Sequence, residues 1–497
     1  MLPLLSYLLP AKALASLAQG PCGKLSLVAS PGHPTPVTVW DTFDQALRRS
    51  GRALWEDSGR FTLLLPDGAI LAQAADRKGN FAADLAPGPV KAALADLSAL
   101  RCLLPMTRGE ITETRLALTD DLHKTCVRAE LRLFNTETRA LLITLQGLRG
   151  YDKALEALRA QVLTLGGEAP RTLCARLVGD TPYTSKPEVR IEAADSAFDA
   201  ATRIIATYLP VVRANEPGIL ADHDTEFLHQ YRIGLRKIRL ILGLFEGVYR
   251  ADRTQDLRDR FAKLMRATGP LRDLDVAILD RDHAHAMLPP SLHPGLEALF
   301  AALATERQEA LRQMAAHLQG RDYAAEIKTL TRLFDKPRHL GPGKLADVLA
   351  TDLALRLILA RHQKICQAAA RITPETPDED LHLIRLHLKK LRYLIEFFAP
   401  LFAPVPYKVV RKTIKGLQDL LGQFNDGVVQ QVSLQEVLLR QAAPPVAMAQ
   451  SVGALMAVLH GCHGTDRAAA IAALQAFTGP DLCTIFHSML PGQGDLP

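Results

Sequence analysis

The sequence lacks several features that mark common classes of protein. Its seven cysteines are scattered and never form a C-x-x-C pair, which argues against a disulfide framework and a structural zinc site and favours a reducing cytoplasm. No run of 18 apolar residues is present, so we expect a soluble protein with no membrane partner. The apolar N-terminal segment lacks a basic region and is broken by Pro3 and Pro10, which disfavours a signal peptide.

Aromatic residues and strong net charge are also scarce. Aromatics make up 5% of the 497 residues, and the formal net charge is only +6. An anionic partner would therefore have to be recognised by a local cluster of charge. The chain is 48% hydrophobic and 23% charged, which is typical of a globular protein, and its length predicts more than one domain.

The two halves of the chain have different patterns. Up to about residue 190, short apolar runs alternate with helical segments at 89–100 and 151–166, which predicts an α+β domain over 1–190. Within it, 127–147 is predicted to form two strands joined by a polar turn at Asn135. Prolines at 180–189 mark the boundary, and the helical periodicity beyond predicts an all-α domain over 191–497.

The helical half contains an internal repeat with an offset of 153 residues. The basic motif at 229–239, within LHQYRIGLRKIRLILGLF at 228–245, recurs at 382–392, and the later glycine and aspartate of each copy keep the same offset. We infer a duplicated helical unit, with copies at about 191–335 and 344–490, whose halves are related by a pseudo-two-fold axis. The residues that recur are His229, Arg232, Arg236, Lys237 and Arg239, matched by His382, Arg385, Lys389, Lys390 and Arg392.

The repeated residues fall on one side of a helix. At 100° per residue, His229, Arg232, Arg236 and Arg239 span an arc of about 80°, and Lys237 flanks it. Neither copy contains an acidic residue between its histidine and the end of its basic stripe. A solvated helix face usually interleaves acids with bases, so this pattern favours anion binding.

A third basic stripe follows the second copy. Its residues also share one helix face, and they are Lys408, Arg411, Lys412 and Lys415. Arg258 is the first-half counterpart of Arg411, but Asp259 replaces Lys412. If the halves pack against each other, we expect the stripes to converge on a shared groove or channel.

The residue types suit a linear polyanion. Arginine binds phosphate oxygens bidentately, lysine supplies mobile charge, and histidine gains charge on mild acidification. Polyphosphate and nucleic acid are the candidates. Nucleic acid is the less favoured partner because the aromatics near the stripes have core-like spacing, and they are Tyr231, Phe245, Tyr393, Phe397 and Phe398.

These motifs closely resemble the CHAD family, the conserved histidine α-helical domain. The resemblance rests on both basic motifs, GPLRDLD at 269–275 and LQDLLGQFND at 417–426. It implies a duplicated helical bundle, made of two four-helix units about a pseudo-two-fold, whose basic central channel binds inorganic polyphosphate, and association with polyphosphate granules. By resemblance, the ten repeated basic residues with Arg411 and Lys415 are the binding residues. Asn425, where the first copy has Arg272, departs from the symmetry.

The first half is similar to the CYTH or triphosphate-tunnel family. The similarity rests on 37–55, 148–166 and YTSKPE at 183–188. The family's E-x-E-x-K strand, which supplies metal-binding carboxylates, is missing, because the corresponding region reads KLSLVAS. We therefore expect a degenerate, non-catalytic tunnel-like domain with no cofactor and no metal.

Other motifs favour structural roles. Asp273, Asp275 and Asp426 are predicted to cap helices or orient arginines, and the histidines of RDHAHAML at 281–288 are assigned to a loop without metal. GPGK at 341–344 is predicted to be a turn before a helix. Cys366 and the other cysteines are predicted to be small buried hydrophobes.

The prediction is thus a non-enzymatic, cytoplasmic, polyphosphate-binding protein. The alternatives are a metal-dependent triphosphatase in the N-terminal half, a nucleic-acid-binding protein, and an adaptor whose N-terminal half docks another protein.

Overall fold

The computed structural model describes residues 5–10, 12–13, 25–179, 183–192, 194–373, 375–441 and 443–489. The chain divides into two compact units, Met1–Ser185 and Lys186–Pro497. Most of the apolar N-terminal segment and part of the proline-marked segment at 180–189 lie outside the described residues.

The first unit is built on one antiparallel sheet. Its strands are β1 (Leu5–Leu9), β2 (Ser26–Ser30), β3 (Pro34–Thr42), β4 (Ala53–Asp57), β5 (Arg60–Leu64), β6 (Ile70–Ala74), β7 (Leu103–Thr119), β8 (Thr125–Asn135) and β9 (Arg139–Gly147). The order is β1-β9-β8-β7-β3-β4-β5-β6, and β2 pairs with β7. The helices are α1 (Ala46–Arg49), α2 (Pro89–Ala93), α3 (Asp152–Thr164) and α4 (Leu173–Val178). The α+β prediction is confirmed.

The sheet buries side chains on both faces. Along β9, Leu141 and Ile143 pack in one core with Leu158 of α3, whereas Leu142 packs in another with Leu177 of α4. This alternation follows from the two-residue period of a strand. The hairpin predicted at 127–147 is confirmed, because β8 and β9 pair in antiparallel register up to Asn135 and Arg139.

The second unit is helical, as predicted. Its helices are α5 (Ala197–Ala214), α6 (Glu216–Leu220), α7 (Thr225–Leu244), α8 (Ala251–Ala267), α9 (Gly269–Leu279), α10 (Arg281–Met287), α11 (His293–Gln319), α12 (Arg321–Asp335), α13 (Ala350–Ala369), α14 (Asp378–Phe397), α15 (Pro404–Arg440), α16 (Val446–Phe477) and α17 (Pro480–Met489). The loop predicted over RDHAHAML is wrong, because 281–287 form α10. GPGK at 341–344 is mostly extended, because Pro342 forms an isolated bridge with Tyr249, and the turn that precedes α13 begins at Lys344.

The duplication inferred from the sequence is visible in the helix boundaries. Four helices of the first copy begin 153 residues before their counterparts in the second. The pairs of first residues are Ala197 and Ala350, Thr225 and Asp378, Ala251 and Pro404, and His293 and Val446. Pro270, which lacks a backbone donor, follows the break that separates α8 from α9, whereas the equivalent stretch of α15 is continuous.

Contacts between equivalent residues mark the pseudo-two-fold axis. The Ala197 backbone N–H donates to the Val348 carbonyl (2.7 Å), and the Ala350 N–H donates to the Asp195 carbonyl (2.8 Å). Each donor and each acceptor is the 153-residue counterpart of the other. A reciprocal pair of this kind is what a two-fold relation between the copies requires.

A second contact between equivalent residues of the two copies lies at the C-terminal ends of the basic helices. The rings of Phe245 and Phe398, again 153 residues apart, are parallel to within 1° with centroids 5.9 Å apart. Both rings are buried. The C-terminal ends of α7 and α14 are therefore held together at the axis.

Among the described residues, one helix, α16, is long and apolar enough to cross a membrane by length and composition. Its Met448, Val452 and Leu455 pack in a core with residues of α11 and α15, although only 28% of its most apolar window is buried. A core helix passes the same length and composition test.

Candidate functional site

Helix α7 carries the first basic stripe. The Asp224 side chain accepts hydrogen bonds from the backbone N–H groups of Glu226 (3.0 Å) and Phe227 (3.3 Å), which caps the helix start. Tyr231, Leu235 and Ile238 are fully buried and hold the helix in the bundle. These three apolar residues occupy one face of α7. The four residues of the basic stripe lie on a different face of the helix, outside this apolar contact.

The apolar residues beside the stripe differ in their burial. Ile233 and Leu240 are only half-buried, whereas Leu244 is buried. Ile384 and Leu388 of α14 are the 153-residue counterparts of Tyr231 and Leu235 of α7. Both are buried as well. The same core face thus orients both basic helices.

The two basic helices share one groove. It has a volume of about 530 Å³ and lies between α7, α8 and α14; we call it the basic groove. Arg236 and Lys389, which are equivalent residues of the two copies, both line it. The full lining is Arg236, Arg239, Leu240, Arg258, Asp259, Ala262, Leu386, Lys389 and Lys390. The predicted convergence of the two stripes is therefore present for these residues.

The cations in the basic groove repel one another. Burial, together with the nearby charges of Arg236, Arg385 and Arg392, lowers the pKa of Lys389 to about 8, while Asp426 opposes the shift. Burial also lowers the pKa of Lys390, and Arg361 adds to this effect. The fold thus holds like charges together in partly desolvated positions, where an anion would relieve the repulsion.

Lys237 lies apart from the groove lining. Its Nζ donates to the Tyr208 hydroxyl (2.7 Å) and sits 4.3 Å from the centre of that ring. Burial lowers the pKa of Lys237 to about 8, and nearby Glu396 opposes the shift. Arg392 also contacts Glu396, at 3.2 Å. Lys237 and Arg392 therefore each have a polar partner within the bundle, near the end of α14.

Arg232 and Arg385 have equivalent acidic neighbours. Arg385 lies 3.5 Å from Asp426. Arg232 donates to the Thr268 hydroxyl, and burial lowers its pKa while Asp273 opposes the shift. The prediction that Asp273 and Asp426 orient arginines agrees with this geometry.

The two motif histidines differ in their surroundings. His382 Nδ1 is 2.5 Å from Asn425 Oδ1, so the amide orients the ring. His229 is half-buried on the corresponding face of α7. Because Arg272 stands where the second copy has Asn425, the two histidines cannot have the same neighbours.

The third stripe lies on the exposed face of α15 and does not line the basic groove. Its residues are Lys408, Arg411, Lys412 and Lys415. Three groove residues of α8, namely Arg258, Asp259 and Ala262, are the counterparts of Arg411, Lys412 and Lys415. The pseudo-two-fold therefore gives α15 the same position beside the second copy as α8 has beside the first, with more positive charge.

Arg258 is the basic residue of the groove lining that the sequence did not predict to belong to the site. Its Nε donates to the Leu242 carbonyl (3.2 Å), and its Nη2 is 3.4 Å from Glu246. The signal that could have identified it is its pairing with Arg411 in the repeat. Asp259 is the one acid among the described lining residues.

Two other motifs have structural roles. Asp275 is buried and accepts from Arg307 Nε at 2.7 Å, and Arg307 also pairs with Asp222 at 2.7 Å. In α10, His285 Nε2 is 2.9 Å from Glu297, and its Nδ1 is 2.8 Å from the Arg281 carbonyl. Asp275 thus orients an arginine, which is one of the two roles that the sequence predicted for it, and His285 links α10 to Glu297 of α11.

The fold and groove define a duplicated helical domain in which two equivalent basic helices meet at a pseudo-two-fold. Residues 203–435 match the family model of the CHAD domain. This part of the chain is therefore a CHAD domain, as its repeated motif predicted.

Similar proteins show how far the likeness extends. Two uncharacterized proteins from Mycobacterium tuberculosis strains are 26% and 27% identical over 61% of this chain and 56% of their own length. The chain thus spans about half the length of the curated relatives it matches. The crystal structure of the CHAD domain from the plant Ricinus communis is 25% identical, covers 60% of this chain and 97% of its own, and gives a TM-score of 0.49.

Proposed function

We propose that the CHAD domain of this protein binds inorganic polyphosphate along the basic groove, without catalysis. The observation that carries the proposal is the meeting of Arg236 and Lys389, equivalent residues of the two copies, in one groove. Arg239, Lys390 and Arg258 add three further positive charges there. A chain of linked phosphates would bring a negative charge to each of them.

The aromatic residues support an anion without bases. Tyr231, Phe245, Tyr393, Phe397 and Phe398, which flank the stripes, are all buried. Single-stranded nucleic acids are held largely by bases stacked on exposed aromatic rings. Buried rings cannot supply such a platform, so polyphosphate fits these helices better than nucleic acid does.

The charges of the sheet unit support the absence of catalysis. Glu113 and Glu130 both pair with Arg132, and Arg60 lies 3.7 Å from the buried Asp57. Carboxylates that already neutralise arginines are poor ligands for Mg²⁺. Together with the missing E-x-E-x-K strand, this pairing favours a degenerate tunnel-like unit.

A binding competition tests the choice of ligand. Long-chain polyphosphate, single-stranded RNA and single-stranded DNA would be titrated into the full-length protein at about 0.15 M salt, where the Debye length is near 8 Å. We expect polyphosphate to bind tightest, with an affinity that falls steeply as salt rises. Equal or tighter binding of either nucleic acid would contradict the proposal.

A phosphatase assay tests the enzyme alternative. The full-length protein would be incubated with tripolyphosphate or ATP and Mg²⁺ or Mn²⁺, and released phosphate measured. We expect no release above that of a matched sample without protein. Metal-dependent turnover that is lost in a Glu113→Gln, Glu130→Gln variant would establish the triphosphatase.

Polyphosphate binding also predicts where the protein resides. We propose a cytoplasmic protein that associates with polyphosphate granules. A fluorescent fusion should overlap stained granules, and the overlap should vanish when Arg236→Glu and Lys389→Glu are combined. Granule overlap that survives in this variant would contradict targeting through the basic groove.

A further inference from the structure

A cluster of metal-ligating side chains lies in the helical unit away from the basic groove. His362 and Cys366 are one turn apart on α13, and Cys483 lies on α17. One ligand atom from each lies within 4.8 Å of the other two. Cys366 Sγ is 3.7 Å from His362 Nε2. The sequence prediction that Cys366 is only a packing residue did not foresee this neighbour.

A fourth ligand is available from the same helix as Cys483. His487 follows Cys483 by one turn, and its ring centre is 6.2 Å from that of His362. Because His487 is exposed, its side chain can rotate without disturbing the core. The two helices thus present His-x3-Cys and Cys-x3-His, the i, i+4 spacing that places two ligands on one helix face.

The surroundings hold the cluster in place. His362 is only 6% exposed, and its ring is stacked on Phe486 at a centroid distance of 3.9 Å and an angle of 10°. The Cys483 thiol points towards the Thr478 carbonyl at 3.6 Å. A buried, stacked imidazole costs little further entropy when it binds a ligand.

The first copy shows that the fold does not need the two candidate ligands of α13. The 153-residue counterparts of His362 and Cys366 are Leu209 and Arg213. Leu209 is buried, so an apolar side chain fills the equivalent place in α5. The His-x3-Cys pair is therefore particular to the second copy.

We infer that α13 and α17 form a Cys2His2 site for a soft divalent cation, with Zn²⁺ as the best fit. Zn²⁺ takes four thiolate and imidazole ligands in a tetrahedron, and thiolates disfavour Mg²⁺ and Ca²⁺. The ion would tie the short C-terminal helix α17 to α13. This site is independent of the proposed polyphosphate function.

Cobalt substitution of the full-length chain tests the site. The untagged, reduced and EDTA-treated protein would be titrated with CoCl₂ and then with ZnCl₂. We expect one Co²⁺ per chain, with thiolate charge-transfer bands and the visible bands of tetrahedral Co²⁺, and complete displacement by Zn²⁺. No bound metal, or Co²⁺ bound without thiolate bands, would overturn the site.

Variants that remove two of the ligands separate metal binding from folding. In the His362→Leu, Cys483→Ser variant, His362→Leu reproduces Leu209 of the first copy and Cys483→Ser is nearly isosteric, so the protein should fold, bind polyphosphate normally and lose the cobalt bands. Cys462→Ser removes an exposed cysteine outside the cluster and should leave the bands unchanged. His487→Ala should shift the visible bands as one ligand is replaced.

The opposite results would overturn the site. Bands that persist in the double variant or vanish with Cys462→Ser would place the metal elsewhere. A Cys366–Cys483 disulfide with no metal binding after reduction would also exclude the metal site. Because polyphosphate binding is measured on the same samples, failure of the metal site is distinguishable from failure of the proposed function.

Discussion

The positive charge of Lys389 opposes the stability of the folded protein. Its pKa in the folded protein is about 8, below the usual value near 10.4 of an unfolded lysine, so its charge destabilises the fold at pH 7. We expect Lys389→Met to raise the free energy of unfolding by about 1–2 kcal/mol at pH 7, after allowance for solvent screening. Urea unfolding followed by circular dichroism measures this.

The pH dependence has a definite sign. The unfolded state binds more protons than the folded state between pH 8 and the unfolded pKa, so the wild type gains stability over that range. The advantage of Lys389→Met should therefore shrink as pH rises from 7 to 10. An advantage that is independent of pH would show that the lysine is not strained by its charge.

Ligand binding should reverse the lowering of the Lys389 pKa. On the proposed function, bound polyphosphate would raise the pKa of Lys389, so binding near pH 8.5 should take up protons, and affinity should fall as pH rises above about 8. Calorimetry in buffers of different ionisation enthalpy measures the uptake. We expect Lys389→Met to reduce it, and an unchanged uptake would point to other groups.

Asp275 illustrates a charged residue with a purely structural role. Asp275→Ala would leave Arg307 with Asp222 alone in a half-buried position, so we expect stability to fall by about 3–5 kcal/mol. Polyphosphate affinity of the remaining folded protein should be unchanged. A stable variant with lost affinity would make Asp275 part of the binding site.

At the scale of elements, the two copies differ in the charge of their outer helices. Lys412 on α15 stands where α8 has Asp259. We expect Asp259→Lys to tighten polyphosphate binding and Lys412→Asp to weaken it, each by about three- to tenfold, because single exposed charges contribute modestly. Affinity measured at several salt concentrations reports both changes.

The combined exchange is the matched control. Asp259→Lys with Lys412→Asp keeps the net charge and, if the pseudo-two-fold is functionally equivalent on both sides, should restore near wild-type affinity. If Asp259→Lys changes the affinity for polyphosphate and Lys412→Asp does not, the ligand binds only in the groove beside α8.

The sequence predicts helices and their repeat better than it predicts neighbours across the bundle. Helix starts such as Thr225 and Asp378 follow local capping and periodicity, which a sequence contains. The placement of Arg258 beside Lys389 depends on how helices pack, and so does the meeting of His362 with Cys483, 121 residues later. Half-burial of Ile233 was likewise not predictable, since helical angles alone do not say which face the bundle covers.

For the whole molecule, the central claim is that α7 and α14, which belong to different copies of the repeat, bind one polyanion together. Its most direct test is the affinity for long-chain polyphosphate of the Arg236→Glu, Lys389→Glu variant. The matched control is Lys336→Glu with Arg371→Glu, two exposed cations outside the groove that give the same change in net charge.

We predict that the groove variant loses at least about 100-fold in affinity, close to 2.7 kcal/mol, and shows a shallower salt dependence. The control should lose less than about threefold, because distant exposed charges are screened at about 0.15 M salt. Equal losses in the two variants would show that net charge, rather than the basic groove, binds the ligand, and would contradict the account.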